Sequence, residues 1–228
     1  MAARTYAQPL ARACVATDVV VFTITGGTLQ VLLVERSEPP FEGSPALPGG
    51  FLWEGETSRE AAKRILAAKA GVRDAFIEQL YTFDALGRDP RGHVISIVYY
   101  ALVPEDRLEI REGEDLETPS LVPVEAVPPL AFDHDQIVAY ACERLRSKVT
   151  YTTAIASLLP PVFTFTQLQS AYETVLDRPL EKRNFRKKYL SLDLIEALEE
   201  RLEGTRYRPP QLYRFRSDAP AELPSPFL

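Results

Sequence analysis

The segment Gly50–Val72, which decides the fold of the first half of the chain, reads GFLWEGETSREAAKRILAAKAGV. Its later part has the apolar spacing of an amphipathic helix over 57–71, with Thr57 or Ser58 as the N-cap and a glycine as the C-terminal stop. A Pro-Gly-Gly turn at 48–50 precedes the helix, and glycine lets a backbone approach a ligand closely. The segment therefore predicts a ligand-binding turn that leads into a helix.

Three positions on this helix, Ile65, Ala68 and Lys69, fall within about 100° of one another and share a face. Carboxylates at these positions could hold Mg²⁺ beside a pyrophosphate and position an attacking water. Ile65 and Ala68 offer no ligand atom, and Lys69 places a positive charge where the cation would lie. Glu60 is expected to pair with Arg64 instead. The segment predicts a pyrophosphate-binding frame without catalytic residues and without a metal.

The composition is typical of a globular protein with one large or two modest domains. The chain has 228 residues, a formal net charge of −6, 46% apolar residues and 25% charged residues. It contains no apolar run of about 18 residues, so no membrane span is expected. We expect Cys14 and Cys142 to be reduced thiols in a cytoplasmic protein. His93 and His134 are too few for a metal-ligand cluster, and no cofactor is expected.

Residues 1–150 alternate strand and helix patterns. The expected strands are 15–24, 29–34, 77–83 and 94–102. A long loop over 37–48 precedes the Gly50–Val72 segment, and an acidic, loop-like stretch covers 105–118. A second helix is expected over 133–148, with Asp133 as its cap. Mixed strands with two helices on opposite faces predict an α/β/α sandwich.

Residues 151–228 begin with a Leu-Leu-Pro-Pro break and continue with two helix patterns. The first has a capping-box pattern at Thr166–Gln169. The second is expected over 180–190, with Pro179 suited to its first turn. The short connection is typical of a helix-turn-helix. Two wing strands are expected at 194–202 and 211–216. This second domain is therefore expected to be a winged helix-turn-helix.

Charge is distributed unevenly between the two parts. Residues 1–150 contain 15 Lys or Arg and 22 Asp or Glu, a net charge of −7, whereas residues 151–228 contain 11 and 10, a net charge of +1. Within the second part, residues 178–188 contain six basic side chains and one acid. A basic stripe within an acidic chain indicates a localised binding surface for an anionic partner.

The second helix of the helix-turn-helix is predicted to enter a DNA major groove. Phe185 and Tyr189 share one side of its helical wheel and should face the domain core. Guanidinium and amide groups on the other side can pair with base edges, and flanking basic groups can neutralise phosphates. The residues expected to contact DNA are Arg183, Asn184 and Lys187 at bases, Lys182, Arg186 and Lys188 beside them, and Arg206 and Arg208 near the wing tip. A solvated basic face on a protein-interaction helix is the alternative.

Together these segments resemble the Nudix-related transcriptional regulators of NAD metabolism (NrtR-like), in which a nudix domain is fused to a C-terminal winged helix. The nudix-box positions that match are Gly50, Glu56, Arg64, Leu66, Gly71 and Val72. The three metal-binding glutamates of the box do not match, because Ile65, Ala68 and Lys69 occupy their positions. The other matching segments are 47–51, 81–83, 88–92, 96–102, 132–134, 143–146, 158–160 and 182–188. The resemblance implies a repressor of NAD biosynthesis or salvage genes that senses ADP-ribose or a related metabolite. It also implies a homodimer that binds palindromic double-stranded DNA.

An ADP-ribose-like effector needs cations and backbone amides for its pyrophosphate and an aromatic face for its base. Such groups occur on the glycine turn, at the former metal position, at the end of the second strand and in the turn at 88–92. The residues predicted to bind the effector are Arg36, Gly50, Phe51, Lys69, Phe83, Arg88 and Arg91, with Trp53 as a second candidate for stacking the base.

Two other functions remain open at this point. The chain could be a nudix pyrophosphohydrolase that acts on ADP-ribose-like substrates through relocated carboxylates such as Glu54, Glu56 and Glu60. Its second domain would then serve assembly only. It could also be a regulator of the same architecture that responds to a sugar, because degraded nudix boxes occur in such branches of the family.

Overall fold

The computed structural model describes residues 12–73, 75–108, 119–201, 210–217 and 220–223. Within these ranges the first part of the chain forms a seven-stranded mixed sheet. Its strands are β1 (Cys14–Thr25), β2 (Thr28–Glu35), β3 (Pro45–Ala46), β4 (Gly49–Phe51), β5 (Phe76–Phe83), β6 (Val94–Leu102) and β7 (Pro119–Pro123). Two helices accompany the sheet, α1 (Ser58–Ala70) and α2 (His134–Tyr151).

The strand order is β3-β2-β1-β6-β5, with β4 paired to β1 and β7 paired to β2. Strands β1 and β6 are parallel. Alternate residues of β1 point to opposite faces of the sheet. Val19 belongs to the apolar cluster that contains Ile65 of α1, whereas Val20 belongs to the cluster that contains Ile137 of α2. The two helices therefore cover opposite faces, and the predicted α/β/α sandwich is confirmed.

Besides β3, which lies within the loop expected over 37–48 and pairs with 34–35 of β2, two strands form where the sequence predicted irregular structure. Residues 49–51 pair antiparallel with 16–18 of β1, although they were expected to be a turn. Residues 119–123 pair antiparallel with 30–34 of β2 and follow the stretch that was expected to be loop-like. Both pairings join segments far apart in sequence, so local propensity carries little information about them.

Helix α1 begins and ends as predicted, but its ion pair differs. Thr57 is the N-cap and forms a capping box with Glu60, and Gly71 adopts the left-handed C-cap conformation at φ 67°. The expected Glu60–Arg64 pair is wrong, because the Glu60 carboxylate accepts hydrogen bonds from Thr57. Arg64 instead donates to Glu56 through Nε and Nη2, both at 2.7 Å.

The second part of the chain has the predicted helix-turn-helix and wing strands. Its elements are β8 (Phe163–Thr164), α3 (Phe165–Leu176), α4 (Lys182–Ser191), β9 (Ile195–Arg201) and β10 (Gln211–Phe215). The strands form a sheet in the order β8-β10-β9. Phe185 and Tyr189 of α4 are buried, as the helical wheel predicted, and pack against Phe165 and Tyr172 of α3.

Two details of these helix starts correct the sequence prediction. The capping box lies two residues earlier than expected, at Thr164 and Gln167, because Phe165 is already helical and buried. Pro179 precedes the second helix rather than occupying its first turn, and the Glu181 carboxylate accepts from the Arg183 and Asn184 amides. Local sequence identified both helices but not their first residues, which are set by the packing of neighbouring side chains.

The two parts share one apolar core. Leu145 and Val149 of α2, Ile155 of the following 3-10 helix (Ala154–Leu158) and Leu168 of α3 belong to a single buried cluster. The Thr174 hydroxyl in α3 also donates to the carbonyl oxygen of Gly27 at 3.1 Å. The predicted domain division at 150/151 stays a prediction. Among the helices in the described ranges, none is long and apolar enough to cross a membrane.

Glycine is required at position 49, where β4 pairs with β1. A Cβ atom at this position would lie 2.0 Å from Oδ1 of Asp18 and 3.3 Å from the carbonyl oxygen of Thr17. At the neighbouring Gly50, a Cβ atom would have no heavy atom of the described residues within 4 Å. The two glycines therefore form a matched pair, one sterically required and one open.

We expect Gly49→Ala to lower the free energy of unfolding by about 1–3 kcal/mol, because its methyl group would collide with the Asp18 carboxylate and overpack this contact. Gly50→Ala should change it by no more than about 0.5 kcal/mol. Urea unfolding followed by circular dichroism measures both variants. Equal midpoints for the two variants would contradict the assigned contact.

Candidate functional site

A small cleft lies beside the first turn of α2, on the same side of β1 as Val20. Its volume is about 100 Å³. Its lining is Ala16, Asp18, Val34, Arg36, Ala46, Leu47, Gly49, Gly50, Phe51, Arg91, Phe132 and His134. Four of the residues predicted to bind an effector, Arg36, Gly50, Phe51 and Arg91, thus meet at one place.

Arginine and phenylalanine side chains alternate along the wall of the cleft. The guanidinium carbon of Arg91 lies 5.0 Å from the ring centroid of Phe51 and 5.4 Å from that of Phe132. The guanidinium carbon of Arg36 lies 4.9 Å from the Phe132 centroid. A cation is attracted to a ring face at such distances. The wall therefore presents two positive charges and two aromatic faces together.

Phe132 has an unusual backbone conformation for a bulky residue, with φ 59° in the left-handed region. Its ring packs edge-on against Phe41, which also has a positive φ of 65°, with centroids 4.9 Å apart. Arg36 holds the neighbouring loop by donating to the carbonyl oxygens of Pro40 and Glu38. The positive φ angles of Phe132 and Phe41 cost about 1–3 kcal/mol each, and such backbone conformations concentrate at functional sites.

A network of buried charges forms the floor of the cleft. The Asp18 carboxylate accepts a hydrogen bond from the Ser96 hydroxyl at 2.5 Å and lies 3.8 Å from Nη2 of Arg88. Arg88 donates to both carboxylate oxygens of Asp133, at 2.9 and 2.6 Å. Its side chain is only 4% exposed. Arg88 was expected in a turn that closes over the ligand, but it does not line the cleft, because its charge pairs with the half-buried Asp133 and compensates the buried Asp18.

His134 connects this floor to the loop before β4. The amide of Leu47 donates to Nδ1 of His134 at 2.9 Å, so the ring proton lies on Nε2, which is 3.7 Å from Asp18. Burial lowers the pKa of His134 below 6.5, although the nearby carboxylates of Asp18 and Asp133 oppose the shift. A neutral imidazole therefore links the first turn of α2 to the segment immediately before β4.

Arg91 is the guanidinium from the 88–92 turn that faces the cleft. Its Nη2 donates to Oδ2 of Asp89 at 2.7 Å, and its amide donates to Oδ1 of the same residue at 2.9 Å. Burial alone would raise the pKa of Asp89, but the hydrogen bonds from Arg91 lower it overall. The Arg91 side chain is 42% exposed. Asp89 thus holds a solvent-accessible cation beside Phe51 and Phe132.

Three further candidates for the effector site lie elsewhere. The Phe83 ring packs against Tyr81 and Tyr140, with centroids 5.6 and 6.1 Å away. Lys69 is in the last turn of α1, which covers the opposite face of the sheet. The Trp53 ring lies under the Arg64 guanidinium at 3.8 Å and is 65% exposed. Position in sequence does not reveal that α1 covers the opposite face of the sheet, nor that Phe83, on the same face as the cleft, packs against α2 beside Tyr140.

The face of α1 that would hold a metal in a complete nudix box is partly accessible but carries no carboxylate at positions 65, 68 and 69. Ile65 is buried in the core, whereas Ala68 is exposed and Lys69 is half-buried. The Glu56 carboxylate, in the connection between β4 and α1, accepts hydrogen bonds from Arg64 that lower its pKa to about 2. In the part of the chain that the structure describes, no three His, Cys, Asp or Glu side chains are grouped to hold a metal ion.

The basic helix α4 presents most of its predicted DNA-contacting residues to solvent. Lys182, Arg183, Asn184 and Lys187 are exposed, and so is Lys188. Arg186, which was expected to contact a phosphate, is exposed as well. Its side chain also makes contacts within the domain. Its Nη2 donates to the Tyr213 hydroxyl at 2.9 Å, and its guanidinium carbon lies 4.7 Å from the Phe165 centroid. Arg206 and Arg208 lie outside the described residues.

Sequence reasoning missed three residues of the cleft. Phe132 supplies its central aromatic face, and Asp18 and His134 form its floor. The segment 132–134 was among those that carried the family resemblance, so a signal for it was present in the sequence. Asp18 gave a weaker signal, as the single acid within a long β-branched run.

Comparison with known families matches both parts of the chain. Residues 15–141 match the NUDIX domain, and residues 155–215 match the NrtR DNA-binding winged helix domain. The fold and the cleft therefore define a nudix domain joined to a winged helix. The chain belongs to the NrtR family of Nudix-related regulators.

Three relatives show the extent of this similarity. The ADPR responsive transcriptional repressor NtrR of Acinetobacter baylyi is 36% identical over 203 residues, which cover 87% of this chain and 80% of that protein. Shewanella oneidensis NrtR complexed with a 27mer DNA is 34% identical, with a TM-score of 0.80, covering 89% of this chain and 93% of that chain. Its NUDIX domain complexed with ADP ribose is 36% identical, with a TM-score of 0.53, covering 60% and 90%.

A third related protein, besides the Acinetobacter and Shewanella regulators, is named as an enzyme. The ADP-ribose pyrophosphatase of Methanocaldococcus jannaschii is 38% identical over 109 residues. These residues cover 48% of this chain and 63% of that protein. Membership of the nudix superfamily is thus compatible with either sensing or hydrolysis, and the site itself must distinguish them.

Proposed function

We propose that this chain is a transcriptional repressor whose nudix domain binds ADP-ribose and whose winged helix binds operator DNA. The observation that carries the proposal is the cleft in which Arg36 and Arg91 flank Phe132. Two relatives support it, since one is named an ADPR responsive repressor and the other was crystallised both with DNA and with ADP ribose. Genes of NAD biosynthesis or salvage are the proposed targets.

The cleft provides the contacts that ADP-ribose requires. Arg36, Arg91 and the glycine turn offer cations and amides for a diphosphate, and guanidinium groups are suited to bind phosphate through two parallel hydrogen bonds. The Phe132 and Phe51 rings offer stacking faces for a base. A cleft of about 100 Å³ is smaller than the roughly 300–1,000 Å³ of ligand pockets in general. One end of the ligand would therefore be enclosed, while the remainder lies along the exposed Phe51.

Phe132→Leu should weaken ADP-ribose binding by about tenfold, since aromatic and cation–π contacts contribute about 1 kcal/mol or more. Phe83→Leu is the matched control and should change the affinity less than twofold, because its ring packs outside the cleft. Isothermal titration calorimetry measures both. Weakening by Phe83→Leu alone would move the site to the surface formed by β5 and α2.

A ligand screen by thermal shift separates ADP-ribose from the alternatives. The panel is ADP-ribose, NAD, nicotinamide mononucleotide and pentoses, and binding raises the melting temperature by an amount that grows with the logarithm of ligand concentration over Kd. Stabilisation by pentoses alone would favour the sugar-responsive regulator.

The nudix domain is proposed to sense its ligand without hydrolysing it. Ile65 and Ala68 replace two carboxylates of the box, and Ile65 is buried. Of the acids considered for a relocated site, Glu56 is engaged by Arg64 and Glu60 by the helix cap. A carboxylate with a pKa of about 2 is also a weak general base at neutral pH.

ADP-ribose incubated with the protein and Mg²⁺ or Mn²⁺ should therefore be recovered intact by ion-exchange chromatography. The archaeal pyrophosphatase serves as the positive control. Metal-dependent release of AMP that is abolished by Glu56→Gln would establish the pyrophosphohydrolase as the function of this domain.

The winged helix is proposed to bind a palindromic operator as part of a homodimer. Exposed Arg183, Asn184 and Lys187 would read base edges, and Lys182 and Lys188 would contact phosphates. Arg206 and Arg208 are proposed as wing contacts on the basis of sequence. Arg186 would stabilise the domain through Tyr213 and Phe165, in addition to any contact with a phosphate.

We expect Arg183→Ala to weaken operator binding by about 1–3 kcal/mol and to relax the preference at one base pair. Lys182→Ala should instead weaken specific and non-specific binding alike and reduce the salt slope by about one unit. Fluorescence anisotropy with a palindrome selected from random duplexes measures both effects and the number of chains bound. Unchanged binding in both variants would identify α4 as a solvated basic face.

A further inference from the structure

Besides the shared apolar core, two attachments join the winged-helix part of the chain to the end of α2. The first attachment is the covalent one, through the 3-10 helix Ala154–Leu158. The second comes from residues 220–223, here called the strap, which follow β10 along the chain. The strap returns to the end of α2 at Tyr151–Thr153, where Thr152 and Glu222 form an antiparallel bridge.

Three hydrogen bonds hold the strap. The Thr153 amide donates to the carbonyl oxygen of Ala221 at 2.9 Å, and the Ala221 amide donates to the Thr153 hydroxyl at 2.8 Å. The Leu223 amide donates to the carbonyl oxygen of Tyr151 at 2.8 Å. Thr153 is 5% exposed and Leu223 is 8% exposed. The contact is thus a buried one of defined register.

Helix α2 joins this attachment point to the effector cleft. Its first residue, His134, and the preceding Phe132 line the cleft, whereas its last residue, Tyr151, accepts the strap. The helix has 18 residues and is about 27 Å long. Its buried side chains, among them Leu145 and Val149, lie in the same cluster as Leu223. A displacement of the first turn of α2 would therefore be carried to the strap by one packed element.

We propose that the strap couples the two domains, so that the winged helix follows the end of α2 when ligand occupies the cleft. The shared apolar core packs the two domains together, and the strap adds hydrogen bonds at the 151–153 junction between them. Rotation of the winged helix at this junction would break the buried hydrogen bonds of Thr153. Thr153 and Leu223 are then positioning residues for the allosteric response. This inference rests on the proposed function.

The quantity to measure is the coupling ratio, which is the operator Kd with saturating ADP-ribose divided by the operator Kd without it. If the ligand strengthens operator binding, the two Kd values are exchanged, so that the ratio is always greater than one. Thr153→Val removes the hydroxyl that accepts from Ala221 while keeping a similar volume. Thr153→Ser retains the hydroxyl, and Glu222→Ala changes an exposed strap side chain. Leu223→Ala tests the apolar anchor independently.

We expect Thr153→Val and Leu223→Ala to bring the coupling ratio toward one by about threefold or more. ADP-ribose affinity by calorimetry should stay within about twofold of the wild type, because the cleft is remote from the strap. Thr153→Ser and Glu222→Ala should keep the wild-type ratio. All measurements are made well below the melting temperature of each variant, so that every variant is folded. If the strap only stabilises the fold, the coupling ratio should then keep its wild-type value.

Two adverse results are distinguishable. If Thr153→Val and Leu223→Ala fold, bind ADP-ribose and keep the full coupling ratio, the strap has no coupling role, and the proposed function is untouched. If the wild-type protein binds neither ADP-ribose nor operator DNA, or binds both without any coupling, the proposed function fails and the inference fails with it.

Discussion

The carboxylate of Asp18 is buried where β1, β4, β6 and the first turn of α2 meet, and an unpaired charge there would cost several kcal/mol. Ser96 and Arg88 compensate it, and Arg88 also holds Asp133 immediately before α2. Gly49 is required above it, because any side chain would collide with the carboxylate. The approach of β4, the position of α2 and the shape of the cleft all depend on keeping this charge satisfied.

Side-chain contacts of the nudix-box helix hold strand β4 beside the start of α1. The Glu56–Arg64 pair closes the connection between β4 and α1, and an Arg64 nitrogen also donates to the Phe51 carbonyl oxygen at 3.2 Å. These contacts involve none of the positions 65, 68 and 69. The connection between β4 and α1 is therefore held in place without a carboxylate at any of them.

The continuous core between the two domains has consequences for signalling. Domains joined only by a linker move independently unless their interface is large and apolar. Here α2, the 3-10 helix and α3 contribute to one buried cluster, and the strap adds hydrogen bonds at the junction. A change at the first turn of α2 can therefore reach the winged helix through packed side chains, which is the kind of contiguous physical path that coupling between distant sites requires.

Short-range patterns in the sequence determined the two-domain organisation, the α/β/α sandwich, the box helix and the helix-turn-helix with its buried Phe185 and Tyr189, because strand alternation and helical periodicity are local properties. They also placed Arg36, Gly50, Phe51 and Arg91 in one site. Only the tertiary structure decided that Phe132 rather than Phe83 lines the cleft, that Arg88 pairs with Asp133 and lies beside the buried Asp18, and that 220–223 returns to the end of α2. Those outcomes depend on contacts between segments far apart in the chain, which the spacing of neighbouring residues does not encode.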